Sequence, residues 1–174
     1  MSRRTYLGEP SPNVKRWMGG EDGPVEHAET WYKYAGNPDW NVVNIEGPIE
    51  GLDEYTPTDQ IPNVQEVVEI EVGTNVTCIS NAFIDCYSLL KLTIPSSVVG
   101  IYGSAFKGCY DLMCDEGVIV FTGKTLEQAK ALMNNSGLIG DSGSGGYMLK
   151  CQCGSSHFIC AWDSEGAYAI IDID

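Results

Sequence analysis

The sequence is short of positive charge. Ten Lys and Arg residues stand against 24 Asp and Glu, giving a formal net charge of −14 and a pI near 4.3. A body this acidic repels nucleic acid and anionic membranes, because the phosphate attraction behind such binding changes sign. Neither is expected as a partner. Histidine is scarce as well: only His27 and His157 are available for acid–base work near neutral pH. No apolar run approaches the roughly 20 residues that span a bilayer. Met1-Ser2-Arg3-Arg4 leads into Thr5, Tyr6 and Leu7 with no hydrophobic stretch behind it, so the expectation is a chain made and kept in a cytoplasm. Gly-x-Ser-x-Gly, His-Glu-x-x-His and the Rossmann fingerprint are all missing, and neither an enzyme nor a cofactor is expected.

The cysteine count is odd: Cys78, Cys86, Cys109, Cys114, Cys151, Cys153 and Cys160. Without an export signal, reduced thiols are expected rather than a disulfide framework.

What is present is apolar enough to build a core, at 43 % of residues. It is also repetitive. Residues 82–89 read A-F-I-D-C-Y-S-L and residues 105–112 read A-F-K-G-C-Y-D-L, a spacing of 23 residues (105 minus 82). Periods of this size mean stacked units. Val68, Ile70 and Val72 alternate as in a half-buried strand, and Leu90, Leu92 and Ile94 do so again before Pro95. Val118, Ile119, Val120 and Phe121 supply a third strand. Small Ala permits close approach, while Phe, Cys and Leu fill the interior.

This run resembles the BspA-type leucine-rich repeat, whose unit is approximately L-x-x-I-x-I-P-x-S-V-x-x-I-G-x-x-A-F-x-x-C. Leu89, Leu92, Ile94, Pro95, Ser97, Val98, Ile101, Ala105, Phe106 and Cys109 fit one unit. Val76, Ile79, Ala82, Phe83 and Cys86 fit the preceding one, which is a residue short between Ile79 and Ala82, and Tyr102 stands where the family has Gly. The resemblance covers about a third of the chain. It implies a mainly β fold with minor α: a short leucine-rich-repeat solenoid of two to three coils. It also implies presentation of a surface, as in bacterial and protist surface proteins and in structural proteins of bacteriophages.

Five segments are expected. Residues 1–24 form an extended basic arm, 25–62 a β-rich N-terminal cap and 63–123 the solenoid. Residues 124–138 form a capping helix and 139–174 a C-terminal β-hairpin or meander. Thr125 and Gln128 are spaced as a capping box, with Leu126, Ala129, Leu132 and Met133 as the apolar stripe and Asn134, Asn135 and Gly137 as the stop. Arg3, Arg4, Lys15 and Arg16 against Glu9 give residues 1–18 a charge of +3 and leave −17 on the rest. With Trp17 they are the expected partner-docking residues.

Three apparent chemical motifs were weighed. Gly123-Lys124-Thr125 follows a strand and precedes a helix, but Val118 occupies the first Gly position of a phosphate loop, and a turn with a helix cap accounts for the same residues. Asp39, Glu46, Glu50, Asp53, Glu54 and Asp59 lack the alternating spacing of a calcium loop. Cys151, Cys153, His157 and Cys160 are a legitimate tetrahedral zinc set. A hairpin competes: with the turn at Ser155-Ser156, Cys153 faces Phe158, Cys151 faces Cys160 and Leu149 faces Trp162, leaving His157 on the other side. A Cys151–Cys160 disulfide is the third alternative.

The functional expectation is a non-catalytic interaction protein. It is a bacteriophage virion component, made in the host cytoplasm, docked by its arm and bound to other virion subunits or a host surface protein. The alternative is a cell-surface or secreted adhesin. Exposed Trp17, Trp31 and Trp40 would suit a subunit contact, and homo-oligomers are compatible with the sequence.

Overall fold

The computed structural model describes residues 27–46, 55–102, 105–134, 147–162 and 168–173. The docking residues Arg3, Arg4, Lys15, Arg16 and Trp17, and the acidic Glu50, Asp53 and Glu54, lie outside them. The fold is mainly β, built around one large mixed sheet. Ten strands occur among the described residues: β1 His27–Tyr34, β2 Asn41–Glu46, β3 Val67–Glu71, β4 Cys78–Ser80, β5 Lys91–Ile94, β6 Gly100–Tyr102, β7 Val118–Phe121, β8 Tyr147–Cys153, β9 Ser156–Trp162 and β10 Tyr168–Asp172. Eight of them form an open sheet in the order β10-β9-β8-β7-β5-β3-β1-β2. The central strands β3, β5, β7 and β8 run parallel, and the flanks are antiparallel.

The three strands of the repeat region thus form as their alternation predicts. Parallel neighbours need a crossover, and the crossovers carry something the alternation did not reveal. β4 and β6 pair in parallel as a second, two-stranded sheet, Cys78 opposite Gly100 and Ile79 opposite Ile101. The flanking segments join the repeat region through the sheet itself: β1 pairs with β3, and β8 pairs with β7.

Between the two sheets lies one apolar core. The octad residues sit at its centre: Ala82, Phe83, Cys86 and Leu89, with Ala105, Phe106, Cys109 and Leu112 behind them, all buried. Phe83 and Phe106 stack with centroids 6.2 Å apart and planes 2° from parallel. Tyr55 packs edge-on against Phe83 at 6.2 Å.

The helix α1, Leu126–Asn134, buries Ala129, Leu132 and Met133 as the stripe predicts. Its capping box is formed. The Gln128 amide donates to Thr125 Oγ1 at 3.1 Å, and the Thr125 amide donates to Gln128 Oε1 at 3.0 Å. Such a cap contributes about 1 kcal/mol. The helix is tied to β10 by Tyr168, whose hydroxyl donates to the Met133 carbonyl at 3.0 Å, and by the Lys130–Asp172 ion pair at 3.0 Å. No described helix is long and apolar enough to cross a membrane.

One polar contact in the core sets a pH limit. The Tyr55 and Thr30 hydroxyls share a hydrogen bond of 2.7 Å, and both residues are buried. Burial pushes the Tyr55 phenol far above its ordinary value, and the Thr30 bond only partly offsets it. Tyr32 is pushed up to about 12, chiefly by burial and then by Tyr34. Raised phenol values mean that the folded chain holds these protons more tightly than the unfolded one. Stability is therefore intact below about pH 10 and falls as pH rises through the ordinary tyrosine range. Melting curves from pH 8 to 11 should show Tm dropping only at the alkaline end, and Tyr55→Phe should flatten that drop while lowering stability at neutral pH by about 1 kcal/mol. A Tm that is level through pH 11 would contradict the burial of both phenols.

Candidate interaction surface

The octads that fill the core also decorate the surface. Successive octads are joined by backbone rungs: Phe83 N–H to Ala105 O at 3.0 Å, Asp85 N–H to Lys107 O at 2.7 Å and Asp111 N–H to Tyr87 O at 3.2 Å. These rungs align equivalent positions. Cys86 and Cys109 point inward, and the Cys109 thiol donates to the Phe83 carbonyl at 3.0 Å. Its hydrogen bonding with Cys86, and then burial, push the Cys109 thiol well above its ordinary range, which disfavours the thiolate there.

The next octad position points outward. Tyr87 and Tyr110 stack on each other, centroids 5.6 Å apart and planes 4° from parallel, yet remain 38 % and 63 % exposed. An isolated exposed tyrosine is ordinary. Two in register form a rigid, amphipathic ladder of the kind that anchors contacts at low entropic cost. Both tyrosines belong to the repeated octad, so the signal was present, but assigning the octad to the interior hid it.

The face of the large sheet turned away from the core is polar around β3 and β5. Lys33 lies over the Trp40 ring at 4.4 Å and pairs with Glu69 at 3.6 Å, and Glu69 also meets Lys91 at 4.0 Å across the parallel register. Such half-exposed pairs contribute little stability, about 0–1 kcal/mol each. One row further on, Glu71, Thr93 and Val120 align. They help line a groove of about 460 Å³ with Thr74, Lys91, Pro95, Ser96 and Thr122. A smaller hollow of about 270 Å³ lies between β6 and α1, lined by Val99, Tyr102, Lys124, Gln128 and Leu132. Lys124 spans towards Ser96, donating to its carbonyl at 3.2 Å.

The zinc set is split by the hairpin. Cys151, Cys153 and Cys160 are buried on the core side, and the Cys153 thiol donates to the Lys124 carbonyl at 3.0 Å. His157 stands opposite Gln152, one residue out of step with the thiols and therefore on the other face. Among the described residues no group of three or more His, Cys, Asp and Glu is placed to hold a metal. Burial pushes the Cys151 thiol well above its ordinary value, and Cys151 and Cys160 carry free thiols.

The register differs from the expected one. The turn is Gly154-Ser155, so Cys153 faces Ser156, Cys151 faces Phe158 and Leu149 faces Cys160. Gly154 has φ +63, as the first central residue of a two-residue hairpin turn often requires. A shift of two residues preserves which side chains face inward, so Leu149, Cys151, Cys153, Phe158 and Cys160 are buried as the expected register also has them, while the Trp162 side chain lies outside the described residues. Of the tryptophans expected to be exposed, Trp31 is only 2 % exposed and Trp40 is half-buried beneath Lys33. Neither is an open contact residue.

No protein-family model, curated protein or solved structure matches the chain.

Proposed function

We propose that this chain is a non-catalytic interaction protein. It is a short leucine-rich-repeat solenoid of the BspA type that presents the tyrosine ladder and the outer groove, carried on a bacteriophage particle. The observation that carries this reading is the alignment of the two octads. The same positions that pack Phe83 on Phe106 inside present Tyr87 on Tyr110 outside. A scaffold that repeats an outward aromatic in register suits a partner contact, since it keeps two large rings side by side and half in water. The virion setting is supported by charge. A +3 segment at residues 1–18 on an otherwise −17 chain suits docking through Arg3, Arg4, Lys15, Arg16 and Trp17 while the body faces away. On this reading the chain is made in the host cytoplasm and its partners are other virion subunits or a host surface protein.

The test is mass spectrometry of purified particles, with the full chain compared with a variant lacking residues 1–24 and with Tyr87→Ala/Tyr110→Ala. The expected result is that the full chain and the tyrosine variant are incorporated, that the truncated chain is not, and that adsorption to host cells is lost with both variants, in the tyrosine variant despite its incorporation. Incorporation that survives truncation would remove the docking role. Recovery from cell envelopes and never from particles would replace the virion reading with that of a cell-surface adhesin.

A further inference from the structure

Strand β10 is an edge of the large sheet among the described strands. Edge strands of monomers are usually blunted by Pro, Lys, a bulge or an outward charge. Tyr168–Asp172 contains no Pro and no Lys, and it pairs with β9 without a register shift. Its alternation is also inverted relative to a solvated edge. Asp172 faces α1, where Lys130 holds it at 3.0 Å, and Tyr168 faces the same helix. The opposite face carries Ala169 and Ile171, with Ile173 just beyond. Ile171 is 47 % exposed and Ile173 is 49 % exposed, and Met148 at 45 % extends the apolar patch onto β8.

The backbone fixes how another strand would join. The Ile173 amide donates to the His157 carbonyl at 3.2 Å. Antiparallel ladders alternate, so Ala169 and Ile171 also turn their amides to β9, whereas Ile170 and Asp172 turn theirs outward. A second β10 related by a two-fold axis then has three registers that use only Ile170 and Asp172. Asp172 opposite Asp172 sets like charges against each other, which is destabilising. Ile170 opposite Ile170 leaves Ile173 outside the pair. Ile170 opposite Asp172 places Ile171 on Ile171 of the second copy and Ile173 on its Ala169, covering both exposed isoleucines, while each Asp172 keeps its Lys130.

We propose that this chain dimerises through β10 in that last register, continuing the sheet across a two-fold axis at Ile171. The contact is isologous and self-complementary, as such an axis requires. Each body carries −14, so the copies repel at long range. Salt screens that repulsion within about 8 Å at physiological ionic strength, and the dimer therefore tightens as salt rises.

Sedimentation of the full chain over a concentration series tests this. The wild type is expected to show a monomer–dimer equilibrium that strengthens with salt. Ile171→Lys, at an exposed position, is expected to weaken it about 100-fold, with an unchanged melting curve at concentrations where both chains are monomeric, since two isoleucine contacts are lost per dimer. Ile171→Cys sits at a non-hydrogen-bonded pair, where Cα atoms approach to about 4.5 Å, within disulfide reach. Mild oxidation should link it into dimers, and the wild type, with its exposed Cys114, is the control. A wild type that stays monomeric, a dimer indifferent to Ile171→Lys, or an Ile171→Cys chain that links no faster than the wild type would each overturn the proposal.

Discussion

Phe83→Ala is expected to lower the unfolding free energy by about 3–5 kcal/mol. Phe83 is fully buried and sits in the middle of an aromatic column, between the edge-on Tyr55 ring and the parallel Phe106 ring. Truncation removes the transfer energy of the ring and leaves a void. The walls of that void are poorly placed to relax. Phe83 N–H is tied to Ala105 O and Cys86 N–H to Phe83 O, so the backbone on both sides is fixed. Tyr55 is held in turn by Thr30. Since domains of this size are stable by only about 5–15 kcal/mol, the variant should be close to unfolding at room temperature. Urea titration followed by circular dichroism measures it. At about 2 kcal/mol per molar, within the usual range of slopes, the midpoint should fall by about 1.5–2.5 M. A loss under about 1 kcal/mol would mean that the column is not continuous. Tyr110→Ala, on the outer side of the neighbouring octad and 63 % exposed, is the contrast. Its effect on stability should stay within about 0.5 kcal/mol, which is what permits its use as a binding variant.

Gly117→Ala is expected to cost about 3 kcal/mol or more, although it adds a single methyl group. Gly117 is buried between the 3-10 turn Asp111–Met113 and the start of β7. A Cβ there would overlap the Leu112 carbonyl, which is backbone and has no rotamer to escape into. The glycine cannot move away cheaply either. Its amide donates to Cys114 O at 3.0 Å, and the next amide, Val118, donates to Leu90 O at 2.9 Å, which docks β7 into the sheet. Relief of the overlap therefore means loosening the parallel β5–β7 pairing or displacing Leu112 from the core. Calorimetry should show Tm lowered by about 6–12 °C, with Glu116→Ala, an exposed neighbour, as the control expected near zero. Nothing in the sequence marked Gly117 as different from the other nineteen of the chain's 20 glycines. Its constraint comes from a carbonyl five residues earlier that only the folded turn brings close.

How far the chain could be read without coordinates follows the range of each interaction. Strands β3, β5 and β7 and the helix α1 were legible, because alternation, stripe and capping box are local patterns that need no knowledge of a partner. The octad interior was legible for a related reason: repetition shows that Ala, Phe, Cys and Leu meet the same environment twice. The set of buried side chains in the C-terminal hairpin was legible too, and survived an error of two residues in register because strand faces repeat every second residue.

What only the tertiary structure decided is how separate segments meet. Pairing of β4 with β6, and the extension of the repeat sheet by β1 and β8, are contacts between residues far apart in the chain, and neither member of a pair announces the other. The same holds for the stacking of Tyr87 on Tyr110, for the burial of Trp31, and for the splitting of His157 from the three C-terminal thiols. The sequence by itself determined the periods, and through them the elements and the residues of the core. The fold determined which strands became neighbours, and so which tyrosines, lysines and isoleucines share a surface, since sheet neighbours are chosen by the summed fit of the whole core rather than by any one segment.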